Sequence, residues 1–213
     1  LDRHVHLATF APTGRGKGVS MILPNLLSHP GSVIVTDPKG ENWRITAQHR
    51  KSRFGHRTLR LDPFGVCGPG SDSFNPLLCI DPNAIDFLDL CRDVANMLVV
   101  RQGTEHEPHW NDSAELVLTA FIGFVCACES DPAKRHLGIV RGIVSSPERF
   151  RVAVATMQKQ SNPVIKRLGG LLEWLKEKEL ASVLTTVQRH TQFLDSPPIS
   201  ANIQMSSFDP REL

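Results

Sequence analysis

Lys17 and the glycines around it, Gly14, Gly16 and Gly18, are the residues of this sequence best suited to chemistry, and that chemistry is the gripping of phosphate. Successive backbone N–H groups of a glycine-rich turn can curl around an anion. A helix N-terminus adds positive dipole, and a lysine adds a point charge. The expected binding residues are Thr13, Gly14, Arg15, Gly16, Lys17, Gly18 and Val19, with Lys17 on the β- and γ-phosphates of ATP. Two positions depart from the pattern G-x-x-x-x-G-K-[ST]. Ala11 stands at the first glycine, and Gly18 stands where a hydroxyl would reach Mg2+. The metal would then fall to Thr13, Ser20, a nucleotide oxygen or water.

Asp37 and Glu41 form the second group, in the run Asp37-Pro38-Lys39-Gly40-Glu41. An apolar strand ending in aspartate 20 residues after Lys17 has the look of a small-molecule kinase, with Asp37 as metal ligand. The other readings place Asp37 at a turn or helix cap ahead of Pro38, or with Glu41 at the polar edge of the site. Between Arg44 and Arg60 the chain also carries Arg50, Lys51, Arg53 and Arg57 with no acid. Arg50, Lys51 and Arg53 could face DNA through salt-sensitive phosphate contacts, or form a solvated helix face. His106, Glu107 and His109 lack a third ligand at metal spacing, so no metal-binding cluster is expected. Trp110 and Trp174 read as core or interface anchors.

These residues need elements to hold them. Residues 5–10, 32–36 and 57–61 read as short apolar strands, and residues 42–52 as a helix between the last two. The helix after the glycine loop presents Val19, Ile22, Leu23, Leu26 and Leu27 at helical spacing, with Pro24 kinking or ending it. Strand, helix and strand in that order make a parallel βαβ unit, so residues 1–80 are expected to be the first part of an α/β nucleotide-binding domain.

From Asp81 no convincing strand follows for about a hundred residues by this pattern reading. Asp81-Pro82 caps a helix burying Ile85, Leu88, Val94 and Leu98, and Asn111 or Asp112 caps another that runs through Cys128. Further helices are expected over 133–144, 147–159, 163–178 and 179–194. Residues 81–195 are thus an all-α inserted domain, and 196–213 return to the first domain. The net charge of +2 announces no nucleic-acid partner by itself, and five cysteines without a Cys-x-x-Cys pair speak for buried thiols in a reducing compartment. The apolar run 116–128 is too short to span a bilayer. The sequence opens directly on a core strand and stops in mid-pattern, as a piece of something longer would.

Taken together, Ala11-Pro12-Thr13, Gly16-Lys17-Gly18, Leu23-Pro24-Asn25-Leu26-Leu27 and Val35-Thr36-Asp37-Pro38-Lys39-Gly40-Glu41 carry a resemblance. So do Leu61-Asp62-Pro63-Phe64, Phe74-Asn75-Pro76-Leu77, His109-Trp110, Phe208-Asp209 and Arg211-Glu212-Leu213. In this order they resemble the type IV secretion coupling proteins, the conjugative DNA-transfer ATPases, whose loop shares both departures noted above. The resemblance implies a RecA-like P-loop parallel sheet with an all-helical inserted domain, ATP and Mg2+ as ligands, and a hexameric homo-oligomer. It implies DNA and relaxase-type protein as substrates and secretion-channel components as partners. It also implies a place on the cytoplasmic side of the bacterial inner membrane, anchored by a segment not in this stretch. In such motors an acidic pair completes the site later in the chain, after Leu213, which leaves Asp37 and Glu41 beside the metal rather than on it. The parent is then a translocase-type ATPase, and this stretch alone would hydrolyse poorly. Outside the motor class stand the P-loop small-molecule kinase and a non-catalytic helical adaptor.

Overall fold

The computed structural model describes residues 8–10, 12, 14–101, 108–175 and 177–212. They divide into two compact units: one from the start of the chain to Ser71 together with the residues from Asp209, the other from Asp72 to Phe208.

The first unit begins its regular structure at Lys17, in a helical run whose first part, Gly18–Ile22, is π-helical and whose second is α1 (Leu23–Ser28). The widening sits just ahead of Pro24. A proline has no N–H to give the carbonyl four residues back, and its ring crowds that carbonyl. Here Leu23 N–H reaches Gly18 O instead. Helix α2 (Glu41–Phe54) follows; Gly40 and Gly55 flank it in the left-handed region, at φ 67° and 70°. Gly55 N–H bonds Lys51 O at 3.1 Å and His56 N–H bonds Arg50 O at 3.4 Å, which closes the helix C-terminus.

The expected parallel sheet is not there. Among the described residues the chain forms helices and turns and no β-strand, which overturns the α/β, RecA-like assignment. Of the expected strand 5–10, residues 5–7 lie outside the described residues, and 8–10 are irregular. Residues 32–36 and 57–61 join no ladder. Val33, Ile34 and Val35 are exposed, Ile34 completely. Their β-branched side chains suit a pleated surface, but propensity of this kind is expressed only against a neighbouring strand.

The second unit holds helices α3 (Phe87–Leu98), α4 (Pro108–Cys128), α5 (Leu137–Val144), α6 (Pro147–Gln158), α7 (Pro163–Glu173), α8 (Glu177–Thr191) and α9 (Pro197–Asn202). Helix α4 is central and packs on α3, α5, α7 and α8. It is longer than its apolar run, and by length and composition it could cross a membrane. Here it is the core helix: Val117, Leu118, Phe121 and Ile122 are wholly buried. Helix α3 starts later than its sequence pattern, so Phe87, Cys91 and Ala95 face the core while Ile85 stands fully exposed. Ser146 caps α6 through Arg149 N–H, and Asn162 caps α7 through Val164 N–H at 2.9 Å. Gly169 marks a close helix contact, because a Cβ there would lie 2.8 Å from Met157 Cβ. Trp110 packs against the core, but Trp174 is 86% exposed and anchors nothing within its unit.

Candidate phosphate-binding loop

Gly14 and Gly16 adopt φ of 78° and 77°, on either side of Arg15. Positive φ at alternate residues curls the backbone so that neighbouring N–H groups turn to one side, the geometry of an anion-binding concavity. An added Cβ at Gly14, Gly16 or Gly18 would meet nothing within 4 Å. Glycine is therefore required at 14 and 16 by conformation and not by crowding within the chain. The loop is drawn together by Arg15 N–H on Pro12 O at 3.4 Å and by Lys17 Nζ on the same carbonyl at 3.0 Å. Lys17 thus holds its ammonium over the loop it belongs to. Arg15 and Val19 are exposed. Thr13 lies outside the described residues.

Of the hydroxyls considered for Mg2+, Ser20 donates to Gly16 O at 2.8 Å and keeps its oxygen as an acceptor. Asp37 is otherwise engaged. Its Oδ2 accepts from Trp43 N–H at 2.9 Å, and its carbonyl accepts from Gly40 N–H at 3.0 Å, so it caps α2 through the Asp-Pro-Lys-Gly turn. Glu41 is exposed in the first turn of α2, where the helix dipole favours an acid. Among the described residues no group of His, Cys, Asp and Glu is arranged to hold a metal ion. An open groove of about 390 Å³ runs beside α1, lined by Met21, Ile22, Asn25 and Leu26 and by Val33 to Thr36 with Thr9. None of the residues 14–19 lines it, so this hollow is separate from the glycine loop.

The basic segment divides in a way its sequence does not announce. Arg50 is only 5% exposed and binds Leu26 O, His29 O and Gly31 O at 2.5, 3.0 and 2.6 Å, with His56 Nδ1 at 3.1 Å. That geometry removes Arg50 from any DNA-facing surface: its guanidinium fastens the end of α1 to α2. Lys51 and Arg53 are exposed on the last turn of α2. Arg44 bonds the carbonyls of Lys39 and Val66, and Arg60 bonds those of Cys67, Gly68 and Pro69 while lying 5.7 Å from the Trp43 ring centre. Asp62 accepts from Val66 and Cys67 N–H at 2.9 and 2.8 Å, and the Cys67 bond foremost holds its carboxyl below the usual range. These roles were missed in the sequence reading. The available signal was a set of arginines beside Gly/Pro-rich turns, where carbonyls are left without helix or ladder partners.

The described loop and its helix sit in a chain that belongs to the family "Type IV secretory system Conjugative DNA transfer", whose family model matches residues 2–213. Among curated relatives, it is 28% identical over 216 residues to the conjugal transfer protein TraG of Escherichia coli, covering 98% of this chain and 34% of TraG. It is 24% identical to the type IV secretion system-coupling protein VirD4 of Bartonella quintana, over 89% of this chain and 30% of that protein. Protein VirD4 of Agrobacterium fabrum is 27% identical over 76% of this chain and 24% of its own length. The chain therefore spans about a third or less of these relatives. The resemblance read from the motifs is borne out.

Proposed function

We propose that this chain supplies the nucleotide-gripping loop and a helical body of a coupling protein that passes DNA, with relaxase-type protein, to a type IV secretion channel. Family membership gives the DNA-transfer context, and the alternating left-handed glycines ahead of Lys17 carry the nucleotide part. In this reading ATP lies with its phosphates against the N–H groups of residues 14–19. Lys17 turns from Pro12 O to the β- and γ-oxygens. Ser20 or Thr13 would offer Mg2+ a hydroxyl oxygen, with nucleotide oxygens or water completing its shell, while Asp37 Oδ2 holds Trp43 N–H. The intact protein works as a hexamer on the cytoplasmic face of the inner membrane, to which a further segment anchors it. Hydrolysis needs a water-aligning group that Lys17 does not provide. The residues named here therefore bind, and the intact protein turns over.

Titration of a non-hydrolysable ATP analogue, with and without Mg2+, tests the reading on the wild-type chain and Lys17→Ala. Lys17→Ala is expected to bind at least about tenfold more weakly, a loss of about 1.4 kcal/mol. Equal, negligible binding by both would overturn the reading and leave a helical adaptor. Phosphate transfer to a small acceptor at ordinary turnover would overturn it in favour of a kinase.

A further inference from the structure

Phe74-Asn75-Pro76-Leu77 is a motif of the sequence that the nucleotide loop does not account for, and it lies where the chain passes into the helical unit. The inbound residues 72–75 run against the outbound residues 202–208. Phe74 N–H donates to Asn202 O at 3.0 Å, and Asn202 Nδ2 donates to Asp72 O at 2.8 Å. Ser207 N–H donates to Ser73 O at 3.0 Å. The Ser207 hydroxyl accepts from Ser73 N–H at 3.1 Å and donates to Asp72 Oδ1 at 2.9 Å. The rings of Phe74 and Phe208 stack with centroids 5.6 Å apart.

Asn75 closes this stem. It is completely buried, and both sides of its amide are in use. Nδ2 donates to Gln204 O at 2.9 Å and to Arg135 O at 2.8 Å, while Oδ1 accepts from Leu77 N–H at 3.0 Å. Its own N–H donates to Ser206 Oγ at 3.0 Å. One side chain thus joins three stretches that are far apart in sequence: the inbound segment, the turn before α5 and the outbound segment. No other side chain of this size offers two donors and an acceptor here. Aspartate has the shape but only acceptors, and it would face two carbonyls; glutamine is one methylene too long.

We infer that Asn75 is a clasp that makes the inbound and outbound segments a single stem. The helical unit is then a body closed at its base, and residues 202–208 stay with it as long as the clasp holds. This does not depend on nucleotide binding, because every residue involved belongs to the helical unit.

Amide hydrogen exchange on the full chain, read residue by residue by NMR, tests it. In the wild type the amides of Phe74, Asn75 and Ser207 are expected to be protected at least a hundredfold over an unstructured chain. Asn75→Asp is expected to speed exchange across 202–208 at least tenfold while residues 118–126 of α4 keep their protection. Should that variant fail to fold, Ser206→Ala removes the acceptor of Asn75 N–H and so loosens the clasp itself; a threefold or greater rise confined to 72–75 and 202–208 is expected. Wild-type exchange over 202–208 at the rate of unstructured chain would overturn the clasp, as would unchanged exchange in the variants.

Discussion

The two units are held together by different forces. Among the described residues every buried apolar side chain except Leu26 belongs to the helical unit, in one cluster around α4. The unit that carries the glycine loop leaves Val19, Ile34, Ile45, Phe64 and Val66 exposed. In their place it relies on Arg44, Arg50 and Arg60, which gather backbone carbonyls from the turns. Apolar burial is non-directional and tolerates small shifts, whereas a guanidinium bonds only carbonyls already in the right place. One unit is thus a packed core, and the other is a set of turns pinned by cations.

The comparison is tested most severely by Phe121→Ala. Phe121 is fully buried and meets Phe150 edge-on at 5.1 Å, so its loss should cost the helical unit about 3–5 kcal/mol. Denaturant unfolding should show the drop in the helical transition; an equal drop in protection of α2 amides would mean that the units are not separately stabilised. Next comes Arg50→Met, which keeps the stem but deprives three carbonyls of their donor, at about 1.5–3 kcal/mol. Exchange should rise in α1 and α2 and not in α4, and Arg50→Lys should rescue poorly because a point ammonium cannot reproduce the fork.

Gly40→Ala sharpens the comparison at a smaller scale. It places a Cβ in a left-handed conformation, costing about 1–2 kcal/mol, and within 2.1 Å of Cys67 Sγ. A companion Cys67→Ala should recover the steric part, seen as a partial return of the melting temperature. The smallest effect belongs to Asp195, whose carboxyl is held below its ordinary 3.8 chiefly by hydrogen bonding from Arg141. A carboxylate with a depressed folded pKa stabilises above its unfolded value and loses that contribution as pH falls through the folded one. The pair is largely exposed on the Asp side, so Asp195→Asn should cost less than about 1 kcal/mol at pH 7. The difference from wild type should shrink below about pH 4, measured by urea unfolding across the acid range.

Legibility in the sequence follows the same division. Helices of the second unit could be read because their signals are local: α6 and α7 start at Pro147 and Pro163, where the expected ranges 147–159 and 163–178 begin. The glycine loop was legible for the same reason, since left-handed backbone at Gly14 and Gly16 needs only the residues themselves. The error lay in turning β-branched runs into a sheet, and in treating Arg50 as one of three similar surface cations. Nothing near Arg50 in sequence distinguishes it from Lys51 or Arg53; its burial is decided by the carbonyls of Leu26, His29 and Gly31, about 20 residues earlier.

By itself, then, the sequence determined the helical periodicity of residues 87–191, the curled turn that ends at Lys17, and membership of a DNA-transfer family. The tertiary structure alone decided that residues 32–36 pair with no strand, that Asp37 caps a helix, and that Asn75 ties two distant segments together. The physical reason is range. Helix hydrogen bonds and glycine dihedrals are settled within a few residues, while ladder pairing and burial of a polar group depend on partners that only the folded chain brings near.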